Sequence, residues 1–258
     1  MKNIFSIKDK VILITGATGY LGSKMVEHLS LADATVIVLS TSITKSLKLC
    51  ENLSIPLKQA FDIDVSNKES IKNTFKTIFD KFGKIDILVN NAYYGVTKRF
   101  DCYSKDDWQK TLEGTVVSID MTTQAVVPYM KMNTQSKIIN ISSMYGIVSP
   151  NPDVYSNEDM INPLSYGVGK AGVIQYSKYA AMKLAKYNIN VNTVSYGPFP
   201  NVNLVKDSQF LNKLADKTFV KRIGKPEEVT SVIYFLSLDE SSYVTGQNIV
   251  VDGGWTSW

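Results

Sequence analysis

The chain has 258 residues, 44% of them hydrophobic, and 28 Lys and Arg against 24 Asp and Glu give a formal net charge of +4. That is apolar material for one large core, and the mild positive charge is scattered without a basic block, which excludes nucleic acid as the default partner. No run of about 18 apolar residues exists to span a membrane, and the start "MKNIFSIKDK" lacks a signal-peptide core, so a cytoplasmic protein with no membrane partner is expected.

Cys50 and Cys102 are far apart and form no C-x-x-C, which argues against a disulfide framework or a thiolate zinc site. His28 is the only histidine. A Ser-His-Asp triad or a multi-histidine metal site would have to be built around it, so no metal is expected and any acid or base must come from other side chains.

In chain order, β-branched apolar runs occur at "KVILITGAT", "ATVIVLST", "KIDILVNNA", "SKIINISSM", "NINVNTVSY" and "QNIVVDGG", with a weaker candidate, "IPLKQAFDID", between the second and third. Each is short and nearly continuous, as suits strands buried on both faces of a parallel sheet. Helical patterns separate them. In "SNKESIKNTFKTIFDKFG", Ile71, Phe75, Ile78, Phe79 and Phe82 mark one apolar face and Gly83 supplies the stop. "SKDDWQKTLEGTVVSIDMTTQAVVPYM" opens on Ser104 and Asp107 at capping-box spacing. In "KPEEVTSVIYFLS", Pro226 fits a first helical turn and two carboxylates complement the helix dipole. The alternation predicts an α/β fold: a single doubly wound Rossmann domain over residues 1–258, with a seven-stranded parallel sheet flanked by helices.

Gly16, Gly19 and Gly22 lie between the first strand and first helix, where glycines allow a tight turn and close backbone approach to a pyrophosphate. Their spacing is G-x-x-G-x-x-G rather than G-x-G-x-x-G. At the end of the second strand, where an acidic residue would repel a 2′-phosphate, stand Ser40, Thr41 and Ser42 with Lys45 close behind. That composition favours NADP over NAD.

Ser143, the "YGVGK" of Tyr166 and Lys170, the terminal "DGG" and the glycine loop together resemble the short-chain dehydrogenase/reductase family. Four further matches fall in order: Asp64 in "FDIDVSN", "NNA" at 90–92, "ISSMYG" closing the fifth strand, and "RIGKPEEVTSVIYFLSLDESSYVTGQNIVVDGG". The resemblance runs from about residue 8 to 255. It implies an NAD(P)-dependent oxidoreductase. By that resemblance the dinucleotide is held by Gly16, Thr18, Gly19, Tyr20, Leu21 and Gly22 of the loop, by Ser40, Thr41 and Ser42, and by Asp64 and Val65 at the adenine. Asn91 and Ala92, Tyr166 and Lys170, and Gly197, Phe199 and Asn201 complete the set.

Tyr166 and Lys170 are one helical turn apart and share a face. A phenol titrates near ~10, so acid/base work at neutral pH needs a drop of roughly 3 units, about 4 kcal/mol. One ammonium about 4 Å away supplies about that much at an effective dielectric near 20, and phenol desolvation offsets part of it. Tyr166 is then the expected proton carrier, Ser143 the expected hydrogen-bond donor to the substrate oxygen and Lys170 the partner of the phenol, and the resemblance implies that Lys170 also holds the nicotinamide ribose hydroxyls. Several positions depart from the family pattern. Thr115 stands where the family carries an Asn that supports a proton-relay water, and is the fourth candidate catalytic residue. "NNAYYG" replaces "NNAG", Tyr196 replaces the proline of a Pro-Gly pair, and Asn201 stands in place of a threonine. The glycine loop itself looks epimerase-like.

Ser143 and Tyr166 are separated by about ten residues more than in many relatives, so an insertion around 147–164 is expected beside the site. Its Asn, Ser, Asp and Glu suit a hydroxyl-rich substrate such as a sugar, sugar phosphate, sugar acid or nucleotide sugar. Tyr93, Tyr94, Lys98, Arg99 and Tyr145 are the candidate substrate contacts. The alternatives are a nicotinamide-retaining epimerase or dehydratase and a non-catalytic NAD(P)-binding sensor. The family commonly assembles through its long helices and C-terminal segment, and "DGGWTSW" ends in two tryptophans, so a homo-oligomer, tetramer or dimer, is expected.

Overall fold

Strands that are apolar at every position are satisfied only when both sheet faces are covered, and the molecule meets that demand with helices on both sides. It is a computed structural model that describes residues 5–258. Residues 1–4, part of the N-terminal stretch read above for a signal peptide, lie outside the described residues. The strands are β1 (Val11–Thr15), β2 (Thr35–Ser40), β3 (Ala60–Asp62), β4 (Ile87–Asn90), β5 (Ser136–Ser143), β6 (Ile189–Tyr196) and β7 (Asn248–Val251). All pair in parallel, in the order β3-β2-β1-β4-β5-β6-β7. The weak candidate strand contributes only its last three residues, after a 3-10 turn at Leu57–Gln59.

Alternate strand residues feed two cores, as the period of two requires. Ile12, Ile14, Val36, Val38, Ile139 and Ile141 face Met25, Val26 and Leu29 of α1 (Tyr20–Leu31) and Ile233 and Leu236 of α8 (Thr230–Ser237). Leu13, Ile37, Leu39, Leu88 and Ile138 face α3 (Lys68–Phe82), α5 (Ser118–Met130) and α6 (Leu164–Leu184). In α3 the buried stripe is Ile71, Phe75 and Ile78, and Gly83 ends the helix in the left-handed region at φ 76°. The remaining helices are α2 (Ile43–Asn52), α4 (Lys105–Leu112) and α7 (Ser208–Asp216). Among the described residues no helix is long and apolar enough to cross a membrane.

Two differences from the sequence reading bear on the site. The long helix expected from Ser104 begins with the capping box but breaks into α4 and α5 around a π-turn at Glu113–Val117, which contains Thr115. Pro226 opens a 3-10 turn, Pro226–Val229, before α8 rather than the helix itself. The strand order reverses between β1 and β4, so the glycine loop after β1 and the Asn-Asn-Ala segment after β4 flank a crevice at the carboxyl edge of the sheet.

Candidate active site

The glycine loop is shaped by contacts with the segment after β4. Gly16 is left-handed at φ 63°, and a Cβ there would stand 2.9 Å from the Ala92 Cα. A Cβ on Gly22 would collide with the Gly16 carbonyl. Asn91 Nδ2 donates to the carbonyls of Thr15 and Gly16, each at 3.1 Å, while the Asn91 and Ala92 amides donate to Thr15 Oγ1 at 3.0 and 3.1 Å. The loop is therefore held open as a backbone cradle, and α1 starts at Gly19 without a side-chain cap, leaving its first amides to face a ligand's negative charge. These features fit a dinucleotide pyrophosphate. The end of β2 is more divided than expected. Ser40 is buried and its Oγ bonds Ser46 Oγ at 3.0 Å and the Ser42 carbonyl at 2.9 Å. Ser42 caps α2 by accepting from Lys45 N–H. Thr41 and Lys45 remain exposed. Asp64 is exposed, its Oδ1 accepting from Ser66 N and Oγ, while Val65 is in the core.

On the other side of the crevice, β5 delivers Ser143 at its last position, level with Tyr196 of β6. Helix α6 is pinned to β5 by Ser142 Oγ donating to the Lys170 carbonyl at 2.8 Å and Lys170 Nζ donating to the Ile141 carbonyl at 2.8 Å. Gly146 permits this closeness, because a Cβ there would lie 2.7 Å from the Lys170 carbonyl carbon. Tyr166 is thereby placed with its phenol in reach of Ser143. A buried polar ladder lies beneath: Asn90 Nδ2 donates to Asn140 Oδ1, Asn140 Nδ2 to Ser177 Oγ on α6, and Thr122 Oγ1 on α5 to Asn90 Oδ1, at 2.8, 2.9 and 2.8 Å. Asn140, Ser177 and Thr122 were missed by the sequence reading. Their one signal was a polar residue inside the apolar run "KIINISS".

Burial is the main influence on both Tyr166 and Lys170. Lys170 Nζ is directed at the Ile141 carbonyl and lies 5.6 Å from the Tyr166 ring centroid. Burial pushes the Tyr166 phenol up, and the hydrogen bond with Ser143 opposes this only in part. Burial also lowers Lys170 from 10.5 to about 8. Desolvation is the leading cause at both groups. Thr115 is buried in the π-turn against Gly169 of α6, and its Oγ1 donates to the Thr111 carbonyl at 2.7 Å.

The expected substrate contacts separate into two groups. Tyr93 stands edge-on to Tyr166, ring centroids 5.1 Å apart, and Tyr145 also faces that phenol, each held above its ordinary value mainly by burial. Tyr94 instead packs against the core and the π-turn. Lys98 is engaged by Asp107 at 2.7 Å, and Arg99 lies 3.7 Å from Asp101 and 3.6 Å from Asp159 of the insertion. The polar side chains of 147–164 do less than expected: Asn151 and Asn157 cap its two 3-10 turns, Pro152–Val154 and Glu158–Met160. Past β6, Gly197 packs on the backbone of Asp252, Phe199 stacks edge-on to Tyr196 at 5.5 Å, and Asn201 Oδ1 accepts from Asn203 N–H within its own turn. Trp255 is a correction: it is buried with Met144, Val154 and Leu214 and is not a free terminal aromatic, whereas Trp258 is exposed.

A family model described as enoyl-(acyl carrier protein) reductase matches residues 16–256. The 3-oxoacyl-acyl-carrier-protein reductase FabG of Thermotoga maritima is 36% identical, covering 96% of this chain and 98% of its own. An NAD-dependent glycerol dehydrogenase of Listeria innocua is 29% identical, covering 98% of this chain and 96% of its own. The structure of a gluconate 5-dehydrogenase from Burkholderia cenocepacia, in complex with NADP and tartrate, superposes with a TM-score of 0.87 at 26% identity, covering 99% of this chain and 98% of that one.

Proposed function

The chain belongs to the short-chain dehydrogenase/reductase family and is an NAD(P)-dependent oxidoreductase; we propose that it interconverts a carbonyl and a secondary alcohol on a small hydroxylated substrate of the sugar, polyol or sugar-acid kind. The observation that carries the chemistry is the convergence of Ser143, Tyr166 and Lys170 beside the glycine crevice. The Gly16–Gly22 cradle with Asn91 and Ala92 would hold a nicotinamide dinucleotide, which when bound would supply the hydride exchange at carbon. Everything else falls to the chain. Ser143 hydrogen-bonds the substrate oxygen as negative charge grows on it, and Tyr166 hands that oxygen its proton. Burial raises the Tyr166 phenol and the Ser143 hydrogen bond opposes that rise, so Ser143 helps to tune the group that passes the proton. Lys170, still largely protonated at pH 7, offsets the phenolate left behind. Thr115 serves the relay indirectly, by setting the π-turn against α6. NADP is the preferred cofactor, on the strength of the exposed Thr41 and Lys45 with no acidic residue at the end of β2.

The substrate class is supported by the phenols of Tyr93 and Tyr145 around Tyr166, and by relatives that act on glycerol and gluconate. A second reading, reduction of a 3-oxoacyl thioester, is favoured by the 36% identity to FabG. The chain works as a homo-oligomer, since Leu164, Val168, Tyr179 and Met182 form an exposed apolar stripe along α6. The test follows NADPH and NADH oxidation with hydroxylated ketones, keto sugar acids and an acetoacetyl thioester. Wild type is expected to consume NADPH stoichiometrically with the hydroxylated carbonyls, and Tyr166→Phe to lose about 10²–10⁴-fold in turnover while binding the dinucleotide normally. A strong thioester preference overturns the substrate class. Activity that survives Tyr166→Phe overturns the mechanism, and cofactor left unconsumed points to an epimerase or a sensor.

A further inference from the structure

In segment 147–164, Asn151 and Asn157 are taken up by capping the segment's own turns. The segment reaches the site through Tyr155, whose hydroxyl lies 2.6 Å from that of Tyr145. The two tyrosines are fixed from opposite sides. Tyr145 follows Ser143 by two residues, its N–H bonded to Ser143 Oγ at 3.2 Å, and its backbone lies against Gly167, where a Cβ would come within 2.9 Å of the Tyr145 carbonyl. Tyr155 is held by Val154, which is buried with Met144, Leu214 and Trp255, and by its own ring against Phe210 of α7 at 5.7 Å. Neither phenol is free to swing. We propose, on the reading that the enzyme acts on a hydroxylated carbonyl compound, that Tyr155 is a positioning residue that fixes Tyr145 to recognise a substrate hydroxyl next to the reacting carbon.

The chemistry of the pair selects that group. One phenolic proton is consumed between the two oxygens. If Tyr145 donates it, its oxygen offers lone pairs to the substrate; if Tyr155 donates it, Tyr145 offers a proton. A hydroxyl, donor and acceptor together, complements both arrangements, whereas a thioester or ketone oxygen complements only one. Tyr145 lies two residues after Ser143, to whose Oγ its N–H donates, and its carbonyl lies against Gly167, the neighbour of Tyr166, so its ring stands at the end of the site where Ser143 and Tyr166 meet. The bound hydroxyl is therefore vicinal or close to the carbon being reduced.

The experiment compares erythrulose with 2-butanone as carbonyl substrates for wild type, Tyr155→Phe, Tyr145→Phe and the double variant, with dinucleotide affinity measured by fluorescence titration. Tyr155→Phe keeps the ring on Phe210 and so keeps the fold. It is expected to raise KM for the hydroxy ketone about tenfold with kcat within twofold, to leave 2-butanone unchanged, and to leave dinucleotide affinity unchanged. Because Tyr155 acts through Tyr145, the double variant is expected to match Tyr145→Phe alone. Equal losses on both ketones, or a hydroxy ketone KM that does not move, overturn the assignment of the pair while leaving the oxidoreductase reading intact. A wild type that reduces the acetoacetyl thioester and neither ketone overturns the substrate class and this inference with it.

Discussion

Lys170 shows how one residue can serve chemistry at the expense of stability. It is almost fully buried, with its ammonium satisfied by one carbonyl and no carboxylate. Its folded pKa of about 8 lies below the ordinary 10.5. Between those values the unfolded chain holds more protons, so stability attributable to this group rises with pH across that window and is lowest below about 8. The shift represents about 3 kcal/mol, and loss of the Nζ–carbonyl hydrogen bond returns about 1 kcal/mol. Lys170→Met is therefore expected to be more stable than wild type by about 2 kcal/mol at pH 7, with the gain shrinking toward pH 10.5, as read by urea denaturation at the two pH values. The same variant loses turnover. In wild type, carbonyl reduction is expected to fall as pH rises through about 8, where Lys170 gives up the charge that offsets the Tyr166 phenolate. A second prediction concerns Thr41, exposed at the end of β2. Thr41→Asp is expected to move the ratio of NADPH to NADH efficiency at least tenfold toward NADH, because a carboxylate repels a 2′-phosphate and accepts from a ribose hydroxyl.

At the scale of elements, the π-turn at Glu113–Val117 explains why Thr115 occupies a position where the resemblance expects an asparagine. The turn bulges toward α6 and packs Thr115 onto Gly169, and Gly114 lies against the backbone of Tyr94. A Cβ added at Gly169 would collide with the Thr115 side chain. Gly169→Ala is expected to cost about 1–3 kcal/mol through overpacking, and Thr115→Ala in the same chain to recover part of it, as measured by a double-mutant cycle in denaturant. Thr115→Asn is expected to destabilise by a similar amount for the same reason. The insertion is a second element whose role changed with its context. Its composition reads as polar, but Asn151 and Asn157 close its own turns, and Val148, Val154 and Tyr155 pack with residues of α7 and Trp255.

At the scale of the whole molecule, α6 presents two faces of different character. Its inner face carries Lys170, Val173 and Ser177 against β5. Its outer face leaves Leu164, Val168, Tyr179 and Met182 uncovered, and turns of four and three residues align them. Val168→Glu, on this face, is expected to shift the protein from oligomer to monomer in light scattering while a single chain remains folded by circular dichroism. Retained assembly would show that another surface joins the copies.

The sheet, its helices, the glycine loop and the shared face of Tyr166 and Lys170 were legible in the sequence because each follows from a local rule, while Ser143 was singled out by the family resemblance. Continuous β-branched runs require two covered faces, a four-residue spacing shares a helical face, and the cradle glycines occur where a strand turns into a helix. What only the tertiary structure decided is where side chains of mixed character turn. Ser40 went into the core and Thr41 to solvent, Tyr93 to Tyr166 and Tyr94 to the core, Trp255 inward and Trp258 outward. It also decided that the Tyr166 phenol is buried, which raises it, with Ser143 in hydrogen-bond reach to oppose that rise. Spacing along a chain fixes which groups are near one another, but desolvation and hydrogen-bond partners depend on everything packed around them, and those come from segments distant in sequence.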